Sequence, residues 1–176
     1  VPEQNHWHFT EKVCYLPDTR LCFSAPKMDI AVSILPALSS GYITFGCFQN
    51  LTKVTDAVLA VWGQIFAQLP SARLRLQSKQ LSDAQFTAQF FSRLSVAGIS
   101  ANRVDTHGFS SREAYFAAHG QVDFILDSFP FTGGTTTCEA LWMGVPTLTL
   151  AGNSLVENQG ASLLAAAGLA DWIAVD

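Results

Sequence analysis

From Tyr42 onwards, short apolar runs alternate with longer amphipathic runs, and this alternation limits the possible folds most strongly. Strands are predicted at 42–47, 72–77, 103–107, 122–127, 146–150 and 172–175. Helices are predicted between them at 55–69, 82–97, 110–118, 135–143 and 157–167. Strands that alternate with helices favour a parallel sheet covered by helices on both faces, so the predicted fold class is α/β.

Residues that begin and end helices support these boundaries. Ser82 with Gln85, and Ser110 with Glu113, form capping boxes at the predicted starts of two helices. Three of the helices are followed by a glycine that can end them in the left-handed conformation: Gly98, Gly144 and Gly168. The helix starts and stops therefore agree with the apolar periodicity.

The first part of the chain differs from the rest. Residues 1–40 contain four prolines and are predicted to form an irregular lead-in segment, whereas residues 41–176 are predicted to form one folded lobe. Only 14% of the residues are charged, against about a quarter in an average protein. One explanation of this low charge is that another domain or another chain covers part of the surface.

Composition also argues against some partners. The net charge is −4, and nucleic-acid-binding proteins concentrate Lys and Arg, so we expect no nucleic-acid partner. No apolar run approaches the length of about 18 residues that a membrane-spanning helix needs, so we expect no membrane partner. The four cysteines, which form no C-x-x-C pair, are predicted to be free thiols in the reducing cytoplasm: Cys14, Cys22, Cys47 and Cys138.

The most informative local motif follows the predicted strand 122–127. We call residues 132–137, Thr-Gly-Gly-Thr-Thr-Thr, the glycine–threonine turn; it leads directly into a predicted helix. Free N–H groups and the positive end of the helix dipole attract anions at such a position. The motif predicts either an ordinary turn with a threonine N-cap or a diphosphate cradle built from Gly133, Gly134, Thr135, Thr136 and Thr137.

Two more loops, the one after Cys47 and the one from Gly108 to Arg112, are expected at the same edge of the sheet, where ligands of such sheets bind. Lys53 is a candidate electrostatic catalyst that stabilises a departing diphosphate, or else a solvated lysine near a helix start. Glu139 is a candidate ligand of ribose hydroxyls, or an acidic residue favoured by the helix dipole. Tyr115 is a candidate for stacking on a base and equally for packing in the core.

Metal and cofactor motifs are missing from the sequence. It has no D-x-D pair that could hold a divalent metal on a diphosphate, no P-loop and no G-x-G-x-x-G fingerprint. We therefore expect no metal and no cofactor, and cations with N–H dipoles must neutralise a bound diphosphate.

Two long stretches resemble a known family. FGCFQNLTK at 45–53 and DFILDSFPFTGGTTTCEALWMGVPTLTL at 123–150 resemble the C-terminal catalytic half of the O-GlcNAc transferases, and most closely the SPINDLY-like bacterial members that carry tetratricopeptide repeats upstream. The resemblance covers nearly the whole chain. It implies a Rossmann-like sheet that forms the C-terminal, donor-binding lobe of a GT-B glycosyltransferase.

The resemblance also implies an activity. Such enzymes transfer N-acetylglucosamine or a related sugar from a UDP or GDP donor to Ser or Thr of proteins, with inversion and without a metal. The implied partners are the nucleotide-sugar donor, a protein acceptor, the N-terminal lobe and the repeats. Because half of the cleft belongs to that other lobe, the isolated chain is expected to be inactive. The alternative hypothesis is a catalytically decayed interaction module attached to a repeat protein.

Individual residues carry over from the family. Lys53 matches the catalytic lysine that contacts the diphosphate, and Tyr115 falls where the animal enzymes have a base-stacking histidine. Asn158 stands where relatives have an arginine, a change expected to affect donor affinity or the local fold. The implied donor-binding residues are Asn50, Ser110, Arg112, Tyr115, Gly133, Gly134, Thr135, Thr136, Thr137 and Glu139.

Overall fold

The strands within the described residues form one all-parallel, six-stranded sheet in the order β3-β2-β1-β4-β5-β6. The computed structural model describes residues 3–175; residues 1, 2 and 176, at the ends of the predicted segment and lobe, lie outside the described residues. The strands are β1 Thr44–Cys47, β2 Arg73–Gln77, β3 Val104–His107, β4 Phe124–Leu126, β5 Thr147–Leu150 and β6 Ile173–Ala174. This is the strand order of the dinucleotide-binding fold. The order runs outwards from β1 to β3 and then reverses, so that β4, β5 and β6 lie on the other side of β1. The switch point therefore lies between β1 and β4.

Helices connect the strands as predicted. The α-helices are α1 Ala37–Ser40, α2 Asp56–Gln68, α3 Ala84–Val96, α4 Arg112–Ala118, α5 Thr135–Trp142 and α6 Gln159–Ala166. Short 3-10 helices occur at Glu3–His8, Leu51–Lys53, Lys79–Ser82, Ala101–Arg103, His119–Gln121 and Ala170–Trp172. The glycines predicted to end helices have left-handed φ angles: Gly98 (81°), Gly144 (73°) and Gly168 (74°).

Two helix starts differ by one residue from the predicted capping boxes. Helix α3 is capped by Asp83, whose carboxylate accepts from Phe86 N at 2.8 Å, and not by Ser82. Helix α4 is capped by Ser111, whose hydroxyl accepts from Ala114 N at 3.2 Å, rather than by its neighbour Ser110. Adjacent residues that can both cap a helix make the two registers nearly equivalent in sequence, and packing of the helix decides between them.

The sheet carries an apolar cluster on each face. Cys47 and Leu126 belong to a cluster built with α2 and α3. The neighbouring residue Ile125, which points to the opposite face, belongs to a second cluster with residues of α4 and α5. Helices therefore cover both faces, and the carboxyl ends of the strands form the edge that remains open.

The lead-in segment is largely irregular, since residues 9–35 contain neither helix nor strand. It is nevertheless tied to the lobe: the backbone N–H groups of Ala37 and Thr44 both donate to the Asp123 carboxylate at 2.8 Å. The origin of this segment in the region between two lobes stays a prediction.

All four cysteines are free thiols. Within residues 3–175, no helix is long and apolar enough to cross a membrane, and no group of three or more His, Cys, Asp or Glu side chains could hold a metal ion.

Candidate functional site

The Lys53 ammonium lies against the glycine–threonine turn, although 79 residues separate Lys53 from Thr132 in sequence. Lys53 Nζ donates to the Thr132 carbonyl oxygen at 3.3 Å and lies 3.8 Å from the centre of the Phe131 ring. Partial burial lowers the pKa of Lys53 below its ordinary value, while the nearby Asp127 carboxylate opposes this shift. The turn and the cation therefore meet at the point where the strand order reverses.

Helix α5 begins with unbonded N–H groups. Its N-cap is Gly134, which has no side chain that could cap the helix, so the threonine N-cap considered as an alternative is not formed. Among residues 3–175, no acceptor bonds to the N–H groups of Gly134, Thr135 or Thr136. Three amides at the positive end of the helix are therefore available to an anion.

The N–H of Gly133, in contrast, is already bonded to a buried carboxylate. Gly133 N donates to Asp127 Oδ1 at 2.8 Å, and Ser128 N and the Gln49 amide donate to the same oxygen. Asp127 Oδ2 accepts from the Thr149 hydroxyl at 2.7 Å. Burial raises the pKa of Asp127, and these four donors oppose the shift. Asp127 therefore shapes the turn, a role that its sequence position did not indicate.

The two glycines of the turn have different surroundings. A Cβ on Gly133 would lie closer than 3.0 Å to the hydroxyl oxygen of buried Thr137, whereas the nearest atom to a Cβ on Gly134 is 3.5 Å away. We expect Gly133→Ala to reduce the free energy of unfolding by about 1–3 kcal/mol through overpacking, and Gly134→Ala to cost less. Urea denaturation of both variants measures this difference. Equal transition midpoints would contradict the expectation.

A cleft of about 1030 Å³ lies along the carboxyl ends of β1, β2 and β3. Four of the implied donor-binding residues line it: Asn50, Ser110, Arg112 and Tyr115. The loops after β1 and β3 thus face one cleft, as predicted. Lys53 and the glycine–threonine turn do not line this cleft, and Glu139 of α5 reaches it through its bonds to Arg112 and Tyr115.

Glu139 joins helix α5 to this cleft. Its side chain is buried, and Oε1 lies 2.9 Å from Arg112 Nη2 while Oε2 accepts from the Tyr115 hydroxyl at 2.8 Å. Burial, together with the negative charge of Glu139, raises the pKa of Tyr115, so the phenol keeps the proton that it donates. Both carboxylate oxygens have partners in the protein, and the contact of Glu139 with a ribose stays a prediction.

Tyr115 also packs against an aromatic group below the cleft. Its ring is edge-on to Phe48 (5.6 Å between centres) and to His119 (5.2 Å), and His119 stacks on Phe48 at 4.1 Å. Burial lowers the pKa of His119 to about 4, which keeps its imidazole neutral near pH 7. Tyr115 combines core packing with exposure to the cleft, and its stacking on a base stays a prediction.

Two asparagines have local structural roles. Asn50 Oδ1 accepts from Thr52 N at 3.0 Å and caps the short helix that presents Lys53. Asn158 Nδ2 donates to the carbonyl oxygens of Gly152 (2.6 Å) and Ser154 (2.9 Å). Asn158 therefore holds the loop before α6, and the expected effect of this residue on donor affinity or the local fold stays a prediction.

A second cation, Arg20 of the lead-in segment, approaches the start of α5. Gln159 Oε1 lies 3.5 Å from the position of a Cβ on Gly134, and the same oxygen accepts from Arg20 Nη2. Within the described part of the chain, Arg20 forms no ion pair with a carboxylate. Sequence reasoning missed Arg20 because nothing in an irregular segment indicates where its side chains lie.

This fold and this site define the class of α/β proteins that present a ligand site at the switch point of a parallel sheet. Residues 25–176 match the profile of glycosyl transferase family 41, and the chain belongs to that family. The predicted Rossmann-like lobe of a GT-B glycosyltransferase is thereby confirmed.

The similar proteins carry consistent names. The probable UDP-N-acetylglucosamine–peptide N-acetylglucosaminyltransferase SPINDLY of Arabidopsis thaliana is 38% identical over 165 residues, which cover 93% of this chain and 18% of that protein. Its Hordeum vulgare counterpart is 37% identical over 174 residues, which cover 98% of this chain and 18% of that protein. A solved mutant of the Thermobaculum terrenum O-GlcNAc transferase superimposes with a TM-score of 0.90 at 32% identity, covering 99% of this chain and 33% of that one. The chain therefore spans only a minor part of each.

Proposed function

We propose that this chain is the donor-binding lobe of a metal-independent, inverting glycosyltransferase that moves N-acetylglucosamine, or a related sugar, from a UDP-sugar to Ser or Thr of proteins. One observation carries the proposal: the Lys53 ammonium and three unbonded N–H groups of the α5 start lie at the same turn. The names of the family members at 37–38% identity support the donor and the acceptor class.

The proposed chemistry follows from charge. An acceptor hydroxyl attacks the anomeric carbon and gives its proton to a general base, the bond from that carbon to the diphosphate oxygen breaks, and negative charge grows on the departing diphosphate. Lys53 and the amides of Thr135 and Thr136 stabilise this charge more strongly in the transition state than in the bound donor, which is the condition for faster transfer. These groups supply the neutralising charge that a divalent cation supplies in other transferases.

The donor is proposed to lie along the cleft. Its diphosphate occupies the start of α5, near the amide of Asn50, and its ribose lies towards Glu139. Its base extends towards Tyr115 and the loop that contains Ser110. The general base, the acceptor groove, the N-terminal lobe and the tetratricopeptide repeats are proposed to belong to other parts of the full-length protein, so the isolated chain is inactive. The free thiols support a reducing, cytoplasmic setting.

Calorimetric titration of UDP into the full-length protein in the presence of EDTA tests this function. We expect a dissociation constant between micromolar and millimolar, unchanged by EDTA, and a rise in melting temperature by mass action. Uridine, which lacks the diphosphate, serves as the matched control and should bind much more weakly. Loss of binding on adding EDTA would refute metal independence. No heat with millimolar UDP or GDP would favour the decayed interaction module.

A further inference from the structure

The lead-in segment places a guanidinium beside the start of helix α5. Arg20 Nη2 donates to Gln159 Oε1, and this oxygen lies 3.5 Å from the position that a Cβ on Gly134 would take. Because a hydrogen bond between nitrogen and oxygen spans about 3 Å, Arg20 Nη2 lies within about 7 Å of that position. Leu21 Cδ1 lies 3.5 Å from the same position. The lead-in segment therefore contributes side chains to the region of the α5 start.

Arg20 has spare hydrogen-bonding capacity. A guanidinium carries about five N–H donors and no acceptor. Within residues 3–175, the bond to Gln159 is the only hydrogen bond of Arg20, and no carboxylate forms an ion pair with it. Glu11 and Asp18 line the same cavity of about 340 Å³ as Arg20, but neither lies within ion-pair distance of it. Most of the donors of Arg20, and its positive charge, therefore remain available to a ligand.

Gln159 fixes the direction from which Arg20 approaches. It is the first residue of α6 and is only 8% exposed. Because the guanidinium can only donate, the amide oxygen of Gln159 must face Arg20, and its NH₂ group must face elsewhere. Among the described residues, no acceptor bonds to that NH₂ group. A buried amide thus adds another unpaired donor group close to the start of α5.

The start of α5 therefore gathers donors without matching acceptors. The N–H groups of Gly134, Thr135 and Thr136 are unbonded within residues 3–175. Spare donors of Arg20 and Gln159 lie close to them. Donors that lose contact with water and lack an acceptor cost free energy, so this group of donors favours a ligand whose atoms only accept. The oxygens of a diphosphate meet that requirement.

Charge indicates the same ligand. The diphosphate of a nucleotide sugar carries one negative charge on each phosphate group. Lys53 supplies one positive charge at the glycine–threonine turn, and Arg20 supplies a second from the lead-in segment. The planar guanidinium can bind two phosphate oxygens at once, with hydrogen bonds of about 2.8 Å. The two cations together therefore balance the charge of the diphosphate.

We propose that Arg20, held by Gln159, binds the diphosphate of the donor as a second cation in addition to Lys53, so that the lead-in segment is part of the donor site. The guanidinium donates to phosphate oxygens and keeps its bond to Gln159, because the two contacts use different N–H groups. This inference rests on the proposed function, since it requires a nucleotide donor at the start of α5.

Calorimetric titration of the full-length protein with UDP and with uridine, in the presence of EDTA, tests the inference. Arg20→Met removes the charge and the N–H donors but keeps a long, unbranched side chain. We expect the dissociation constant for UDP to rise at least about tenfold in this variant, because hydrogen bonds between charged groups are lost. The dissociation constant for uridine, which has no phosphate, should stay at its wild-type value. GDP and guanosine replace UDP and uridine if GDP is the tighter ligand.

Lys27→Met is the matched control. Lys27 is exposed in the same segment, so this substitution removes the same charge without touching the start of α5. We expect the affinity for UDP to stay at its wild-type value. An equal loss of affinity in Arg20→Met and Lys27→Met would mean that only the net charge of the protein matters, and the inference would fail.

A second measurement needs no substitution. Phenylglyoxal modifies accessible guanidinium groups, and mass spectrometry of the digested protein gives the rate of modification at each arginine. Saturating UDP should slow the modification of exposed Arg20 several-fold, whereas uridine should leave it unchanged. Arg73 is the internal control, because it begins β2 at the opposite edge of the sheet. An unchanged rate at Arg20 in saturating UDP would overturn the inference.

The remaining outcomes are also decisive. If the wild type binds UDP or GDP and folded Arg20→Met binds it equally well, the inference fails and the proposed function stands. If Arg20→Met loses affinity for UDP and uridine to the same extent, Arg20 has only a structural role, and the inference fails as well. If circular dichroism shows that Arg20→Met does not fold, the protection of Arg20 from phenylglyoxal decides. If the wild type binds neither UDP nor GDP, both the proposed function and the inference fail.

Discussion

Replacing Lys53 with alanine in the full-length protein should lower the turnover number for sugar transfer by about 10²–10³-fold. The ammonium lies at the glycine–threonine turn, where the proposed mechanism places the departing diphosphate. A preorganised positive charge at such a position acts mainly in the transition state, so the turnover number should fall more than the apparent donor affinity. The fold should persist, since within residues 3–175 the Lys53 ammonium holds no ion pair; it bonds to the Thr132 carbonyl and lies over the exposed Phe131 ring.

Steady-state kinetics with a UDP-sugar donor and a protein acceptor measure this effect. Lys27→Ala is the matched control, because Lys27 is exposed in the lead-in segment and should leave turnover unchanged. Circular dichroism and the melting temperature verify that both variants are folded. Near-normal turnover in folded Lys53→Ala would remove this lysine from the mechanism.

Replacing Asp127 with alanine should have the largest effect on stability, a loss of about 3 kcal/mol or more in the free energy of unfolding. The carboxylate accepts from two backbone N–H groups, the Gln49 amide and the Thr149 hydroxyl, and it is 5% exposed. Its removal leaves four buried donors without an acceptor, each of which carries a desolvation penalty. Asp127→Asn, which keeps one acceptor oxygen, should fall between the wild type and the alanine variant.

Urea denaturation gives the transition midpoint and the m-value for these variants. Asp105→Ala is the control: the Asp105 side chain is 50% exposed and pairs with Arg73 at 3.2 Å, and such surface pairs contribute at most about 1 kcal/mol. The urea midpoint of Asp127→Ala is compared with that of Asp105→Ala. If both lie equally close to the wild-type midpoint, the four hydrogen bonds contribute little to the free energy of unfolding.

The sequence predicted the strands and helices because buried parallel strands and amphipathic helices leave distinct apolar patterns. The ends of elements were less certain, since the choice between Ser110 and Ser111 as a cap depends on how α4 packs. Strand β4, Phe124–Leu126, is shorter than the predicted 122–127, although the Asp127 N–H still donates to the Leu148 carbonyl oxygen of β5 at 3.0 Å.

For the site, the general rule for parallel sheets predicts that Lys53 and the glycine–threonine turn lie at the same edge. The rule says nothing about side chains that meet by packing. The Gln49–Asp127 bond joins residues 78 positions apart, and the hydrogen bonds of Gln77 with Arg75 and Ser110 depend on the register of β2 beside β3. Such contacts leave no local pattern in the sequence, which is why the hydrogen bonds of Asp127, Gln77 and Arg20 could not be predicted from it.

The position of Arg20 and Leu21 has a practical consequence for protein engineering. Leu21 Cδ1 lies 3.5 Å from where a Gly134 side chain would begin, and Arg20 bonds Gln159 in the same place. A truncation designed to start at the first strand would remove a segment that resembles a dispensable linker. It would also remove the positive charge of Arg20 and the apolar side chain of Leu21 beside helix α5. A lobe truncated in this way would not represent the ligand binding of the intact chain in a screen.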